Sequence, residues 1–373
     1  QINFQATSVA KYRDTNGFYH LVVSADTTQS TQADRYRVYI NGEQIDLSIS
    51  TNIGQNVDLG FNSPSANLRI GGQESGSEPW KGIMSHVHFC DGYSYAPTEF
   101  GSTDATTGEW KINTSPSVTY GNNGYFVFKD DNAVTDRSGQ GNNFTLSGSI
   151  TKTEDSPSNV FATFNPFSTK QSYSTTFSNG NNRFRHSQAD NHNSCRSTLG
   201  FNSGKWYAEF KLVSSVSQSN CMVGIGNLNI ATTNGDTAVN GLGGSGYQSG
   251  GILYRSGYSD ISSLTTYAQN DIIGCACDFD NKMIYWYKNG TLLNGTGYAF
   301  TLNSGIANGD FYRFAVSGYQ TSGDDVVFDA NFGNGYFGST QISSAGTNAS
   351  GIGIFEYDVP TGYTALSTKG LNL

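Results

Sequence analysis

Nowhere along this chain do apolar side chains recur at helical spacing. The sequence instead repeats short β-branched or aromatic runs bounded by Gly, Asn or Asp. YHLVVSAD, RYRVYING, ANLRIGG and SHVHFCDG come early. KWYAEFKLV, CMVGIGNL, GGILYRSG, DIIGCACDFD, KMIYWYKNG, FYRFAVSGY and DVVFDANFG follow. Such runs are strands, because β-branched and aromatic side chains fit a pleated, half-buried surface. Asn41-Gly42, Asp91-Gly92, Asn123-Gly124, Asn289-Gly290 and Asn294-Gly295 take positive φ cheaply and close hairpins. The best helical candidate is one turn over 96–100, with Pro97 early in it. A chain built this way is all-β and must pair its sheets as sandwiches or barrels, since a lone sheet cannot bury a face.

Composition narrows the function classes. Charged residues are 14% and aromatic residues 13% of the 373, which is too little charge and too much ring surface for a disordered chain. No apolar run approaches the ~18 residues of a membrane-spanning helix. The net charge of −9, with no Lys/Arg block, argues against nucleic-acid binding. The length fits two domains. No leader precedes the strand-like text, so the chain reads as a portion of a longer protein. Five cysteines, Cys90, Cys195, Cys221, Cys275 and Cys277, form no disulfide framework and no CxxC zinc pair. Cys275 and Cys277 lie two apart on one strand, share a face and read as small buried residues.

The segment 113–167 differs, being rich in Asn, Ser, Thr and Asp with few alternating runs. It reads as an extended connector between a first domain at 1–112 and a second at 168–373. Its Phe126, Phe128, Phe144, Phe161 and Phe164 need somewhere to pack. Trp80 and Trp110 bracket the end of the first domain and are expected to clamp the connector; Trp206 and Trp286 read as core.

Catalytic chemistry finds little to stand on. No E-x-D-x-x-E run supplies the paired carboxylates of a glycoside hydrolase, and no G-x-S-x-G elbow occurs. Asp278 and Asp280 share a strand face but read as solvated residues at a strand end, and Asp324-Asp325 as a loop. His86 and His88, two apart on a strand, would need a third ligand such as Asp91 to hold a metal. His186 and His192 fall in a polar stretch of the same weight. No cofactor or metal is expected. Glycosylation acceptors at Asn113, Asn143, Asn289, Asn294 and Asn348 are what chance produces in a chain rich in Asn, Ser and Thr.

Two resemblances emerge from longer text. GFYHLVVSADTTQSTQADRYRVYINGEQI, LRIGGQ and WKGIMSHVHFCDGYSYAPTEFG together resemble the latter part of a laminin-G-like, concanavalin-type jelly roll. FSNGNNRFRH, GKWYAEFKL, VGIGN, GYQSGG, DIIGCACDFDNKMIYWYKNG, YRFAVSGY and VVFDANFG, then PTGYTAL, occur in an order that resembles a SPRY domain, a bent two-sheet sandwich. The tandem resembles virion proteins of tailed phages. It implies a tail fibre or adhesin on the virion, non-enzymatic, trimeric by analogy, binding a host-surface glycan or protein receptor and other virion proteins. A ligand surface in the SPRY-like half would be built from inter-strand loops. The candidates there are Tyr247, Tyr254, Arg255, Tyr258 and Asp260, whose flat rings with polar handles suit stacking on sugars; filling the rim of the sandwich is the alternative role. A purely structural virion component, a polysaccharide-degrading enzyme and a cellular SPRY interaction protein are the competing expectations.

Overall fold

The computed structural model describes residues 5–12, 17–61, 68–72, 80, 82–106, 108–129, 134–147, 154–169, 174–187, 191–214, 221–227, 244–302, 311–320 and 325–372. Among them the chain is all-β, interrupted only by three-residue 3₁₀ turns such as Pro97–Glu99. No helix among the described residues is long and apolar enough to cross a membrane. The chain forms two compact units, residues 1–152 with 156–158, and residues 153–155 with 159–373.

The first unit is a set of small antiparallel ladders. Leu21–Ala25, Tyr36–Ile40 and Glu43–Gln44 form one sheet, while Gln5–Ser8 pairs Leu47–Thr51 and Gly101–Thr103 pairs Trp110–Ile112. Leu21 and Val23 stay about half exposed. Trp110 turns inward, its Nε1–H donating to His20 Nδ1 at 2.8 Å and its ring lying over Gly42. It packs between its own hairpin at Gly101 and the sheet at His20 and Gly42, and Trp80 is 59% exposed.

The segment 113–167 does not stand apart. Its Tyr125–Val127 is a buried strand paired with Val87–Phe89, so this part belongs to the first unit. Asp136 completes that piece by accepting from the backbone N–H of Phe126, Ser138 and Asn142. Phe161 and Phe164 are instead core residues of the second unit. The phenylalanines divide the segment because each must bury its ring somewhere, and the unit boundary therefore falls near 153–159 instead of at 112 and 168.

The second unit is a sandwich. Its larger sheet runs Thr175–Ser178, Arg183–His186, Val326–Asn331, Lys205–Ser214, Ile272–Asp278, Met283–Lys288 and Thr291–Leu292; Tyr298–Ala299 joins beside Met283–Lys288 and Thr364–Ala365 beside Lys205–Ser214. The facing sheet runs Asn191–Arg196, Tyr312–Gln320, Met222–Asn227, Ser245–Gln248 and Ile252–Arg255. Phe210, Phe314 and Phe332 pack as tilted and edge-on rings between them. Trp286 crosses the gap, its Nε1–H donating to the Val223 carbonyl at 2.9 Å. Cys275 and Cys277 lie opposite Trp286 and Ile284 on the core face, both fully buried.

The strand Ile272–Asp278 is buried at every position, not at alternate ones. The cause is a third layer. The C-terminal segment lies on the outer face of the larger sheet, with the Phe355 ring 5.0 Å from that of Tyr207. A strand covered on both faces shows no alternation.

Candidate functional site

The strand Ile252–Arg255 is an edge of the five-stranded sheet and leads into a turn through residues 256–260. Gly257 holds φ +76°, and a Cβ there would stand 1.8 Å from Thr301 Oγ1. The turn is pinned to Thr301, whose N–H and hydroxyl both donate to the Ser256 carbonyl. The Arg255 guanidinium donates to the Ser259 carbonyl through Nη2 at 2.8 Å and sits 5.0 Å from the centre of the Tyr258 ring. Tyr258 is 44% exposed. The result is an aromatic ring and a cation held together at an exposed rim, the cation oriented by the Ser259 carbonyl. Tyr254 and Asp260 adjoin them, half-buried and exposed respectively. Burial, then the nearby Asp260 charge, raises the Tyr254 phenol above its usual value.

Of the five residues expected to form a loop surface, Arg255 and Tyr258 are thus brought into contact, while Tyr254, on the strand with Arg255, projects from the opposite face and is near enough to Asp260 to feel its charge. Tyr247 is not part of the rim. It lies in Ser245–Gln248, is fully buried, and donates its hydroxyl to the Thr265 carbonyl at 2.7 Å. Its ring packs 5.7 Å from that of Trp286, because its register position faces the core.

The carboxylates looked at for catalysis have structural partners. Asp278 is buried, against the expectation of a solvated strand end. It pairs with Lys205 Nζ at 3.0 Å and accepts from Asn281. Burial pushes its carboxyl up, but Asn281 and Lys205 outweigh this and hold it below the ordinary range. Asp280 accepts from the Gly204 N–H. Asp325 pairs with Arg185, and Asp324 lies outside the described residues. His86 is engaged with Ser85 and His88 with the Tyr120 hydroxyl. Burial takes His88 down to about 3, so it is neutral at physiological pH. His186 and His192 stand on strands of different sheets, not in a loop, and His186 is fully buried. Among the described residues, no group of three or more His, Cys, Asp or Glu is placed to hold a metal.

A polar residue that sequence reasoning passed over is Glu209. It is fully buried in the strand Lys205–Ser214. The backbone N–H groups of Glu356 and Tyr357 donate to its two oxygens, each at 2.9 Å, and Asn331 and the Tyr207 hydroxyl add one donor each at 3.2 Å. This carboxyl fastens the outer segment to the sheet. Burial pushes it up to about 7 against the pull of its donors. The available signal was a lone acid amid the aromatic and apolar residues of KWYAEF. A cleft of about 370 Å³ lies at the start of that strand, lined by Ser203, Gly204, Trp206, Tyr363 and Thr364.

Comparison with known proteins places this architecture. Residues 205–329 match the SPRY domain family model. An ATP-dependent RNA helicase, DDX1 of Xenopus laevis, is 35% identical over 123 residues, which are 33% of this chain and 15% of that protein. The match therefore spans only a small part of the relative's length. Two solved structures are similar over most of their own length. The SPRY domain of human HERC1 gives TM-score 0.34 at 17% identity, covering 45% of this chain and 96% of that one. Another human SPRY domain gives 0.32 at 14%, covering 43% and 95%. The chain therefore contains a SPRY domain, at residues 205–329.

Proposed function

We propose that this chain is a non-enzymatic recognition protein whose SPRY unit binds a partner through the rim formed by Tyr254, Arg255, Tyr258 and Asp260. SPRY domains are generally interaction modules, which supports the class of function. The observation that carries the choice of surface is the Arg255–Tyr258 pair, exposed yet pre-set by Ser259 and by the pinned turn at Gly257. A flat ring with an adjacent cation suits both a sugar face and a protein hot spot. The finer reading is a virion surface protein, a tail fibre or adhesin that recognises a host-surface glycan or protein receptor. It rests on the resemblance of the tandem sequence to tailed-phage proteins and on the low charge of the sequence, 14% Asp, Glu, Lys and Arg.

The test is binding of the purified chain to host cells and to an array of host-surface glycans, with Tyr258→Ala and Arg255→Ala beside the wild type. Loss of about tenfold or more in affinity in either variant is the expected result, with unchanged thermal unfolding. Undiminished binding by both variants would move the surface elsewhere. Binding to capsid or tail proteins alone would favour a structural virion component. Release of reducing ends from host polysaccharide would overturn the non-enzymatic reading.

A further inference from the structure

The outer face of the five-stranded sheet holds two guanidinium groups with no acid beside them among the described residues. Cys195 lies opposite Val316 and faces the core, so the next residue, Arg196, opposite Ala315, projects from the other face. Arg313, two residues before Ala315 on the neighbouring strand, projects from that same face. Arg196 is 3% exposed, and its Nε and Nη2 make no hydrogen bond. Arg313 is partly exposed; its Nη1 donates to the carbonyls of Ser197 and Thr198, and its Nε makes no hydrogen bond. Among the described residues neither side chain has a carboxylate within ion-pair distance. Each feels burial that disfavours its charge, and Arg196 also feels the charge of Arg313.

This is an unusual arrangement. Buried charges are normally paired, because an uncompensated one is costly, and arginine does not escape by releasing its proton. Burial of Arg196 with two donors unpaired is understandable if something else supplies the negative charge, and Arg313 offers a second, partly exposed cation. On the next strand the residues opposite Arg313 and Ala315 are Gly226 and Gly224, so no side chain of that strand stands over the pair. Unpaired N–H groups of two guanidinium side chains on one face, with glycine beside them, suit the charge and acceptor chemistry of an oxyanion.

We propose that Arg196 and Arg313 form an oxyanion-binding site that takes a phosphate or sulfate group, free or as the terminal ester of a sugar.

The experiment is thermal unfolding and calorimetric titration of the whole chain with inorganic phosphate, inorganic sulfate and glucose 6-phosphate, against chloride at matched ionic strength. At a hundredfold excess over the dissociation constant, the anion should raise the melting temperature of the SPRY unit by about 5–10 °C. A larger response to glucose 6-phosphate than to inorganic phosphate identifies an esterified ligand, and the reverse a free anion. Arg196→Gln should lose the response while unfolding no earlier than wild type without anion, since it removes an uncompensated buried charge; Arg313→Gln should lose the response too, while unfolding somewhat earlier because it gives up the contacts to the Ser197 and Thr198 carbonyls. Lys369→Gln, an exposed cation elsewhere, should keep it. A saturable response retained in both arginine variants overturns the proposal. So does the lack of any saturable response by the wild type, which decides the matter even if a variant does not fold.

Discussion

Replacing Glu209 by glutamine tests whether its carboxyl is held protonated by burial or ionised by its donors. In the folded chain this group keeps its proton up to about pH 7, against an ordinary 4.5, because burial outweighs four hydrogen-bond donors. That difference amounts to roughly 3 kcal/mol against the ionised folded state, at about 1.4 kcal/mol per pH unit. The sign follows from linkage. Between the two values the folded state holds a proton that the unfolded chain has released, so stability falls as pH rises. The contribution is fully present below the unfolded value and is lost as pH passes the folded one. Between about pH 5 and pH 8 the wild type should lose about 2.5 kcal/mol through this group. The amide introduced by Glu209→Gln does not titrate. It also turns its NH₂ toward one of two backbone donors, Glu356 N–H or Tyr357 N–H, whichever way it is oriented. That sets a pH-independent penalty of about 1–3 kcal/mol. The stability gap between wild type and Glu209→Gln should therefore narrow by about 2.5 kcal/mol from pH 5 to pH 8. Urea unfolding read by fluorescence of the buried Trp206 and Trp286, at several pH values and with equal m-values required, measures it. A constant gap would show that burial does not govern this group. A gap that widens with pH would show that the donors prevail and the carboxylate is ionised in the fold.

Other expectations follow from single contacts. Arg183→Ala leaves the nearly buried Asp329 carboxylate without its bidentate partner and should cost about 2–4 kcal/mol in chemical unfolding, with Arg183→Ala/Asp329→Asn losing less than Arg183→Ala alone. Gly290→Ala places a Cβ at φ +79°, 2.7 Å from the Tyr357 ring, and should destabilise by about 1–2 kcal/mol on the same assay. Of the five thiols, Cys195, Cys221, Cys275 and Cys277 are fully buried, and Cys90 is half-buried with its thiol pushed up by burial to about 11. A disulfide reagent at neutral pH should therefore label the native chain at no more than Cys90, slowly, and all five after urea.

The β class and the strands of the second unit were legible because they depend on local residues. KWYAEFKLV, DIIGCACDFD and KMIYWYKNG became adjacent antiparallel strands, and Asn289-Gly290 supplied the two positive-φ positions between the last of them and its partner. The rim was legible in part. Tyr254, Arg255, Tyr258 and Asp260 are close in sequence, so any turn there would gather them, whereas Tyr247 depended on which face its strand turned to the core. Asp278 and Glu209 were misjudged or missed for one reason, namely that their surroundings come from residues far along the chain. Asp278 meets Lys205 across a ladder, and Glu209 meets the backbone of Glu356 and Tyr357.

The division of labour within 113–167 makes the same point. Its five phenylalanines announced that the segment must pack, but hydrophobic burial has no direction in sequence, and either unit offered a core. Only the assembled fold assigned Phe126 to the first unit and Phe161 and Phe164 to the second. Strand identity, turn positions and the absence of long helices are consequences of side-chain shape and backbone preference within a few residues, and the sequence alone determined them. Which strand faces are covered twice, which acids are buried and which two arginines share a face are consequences of long-range register, and tertiary structure alone decided them.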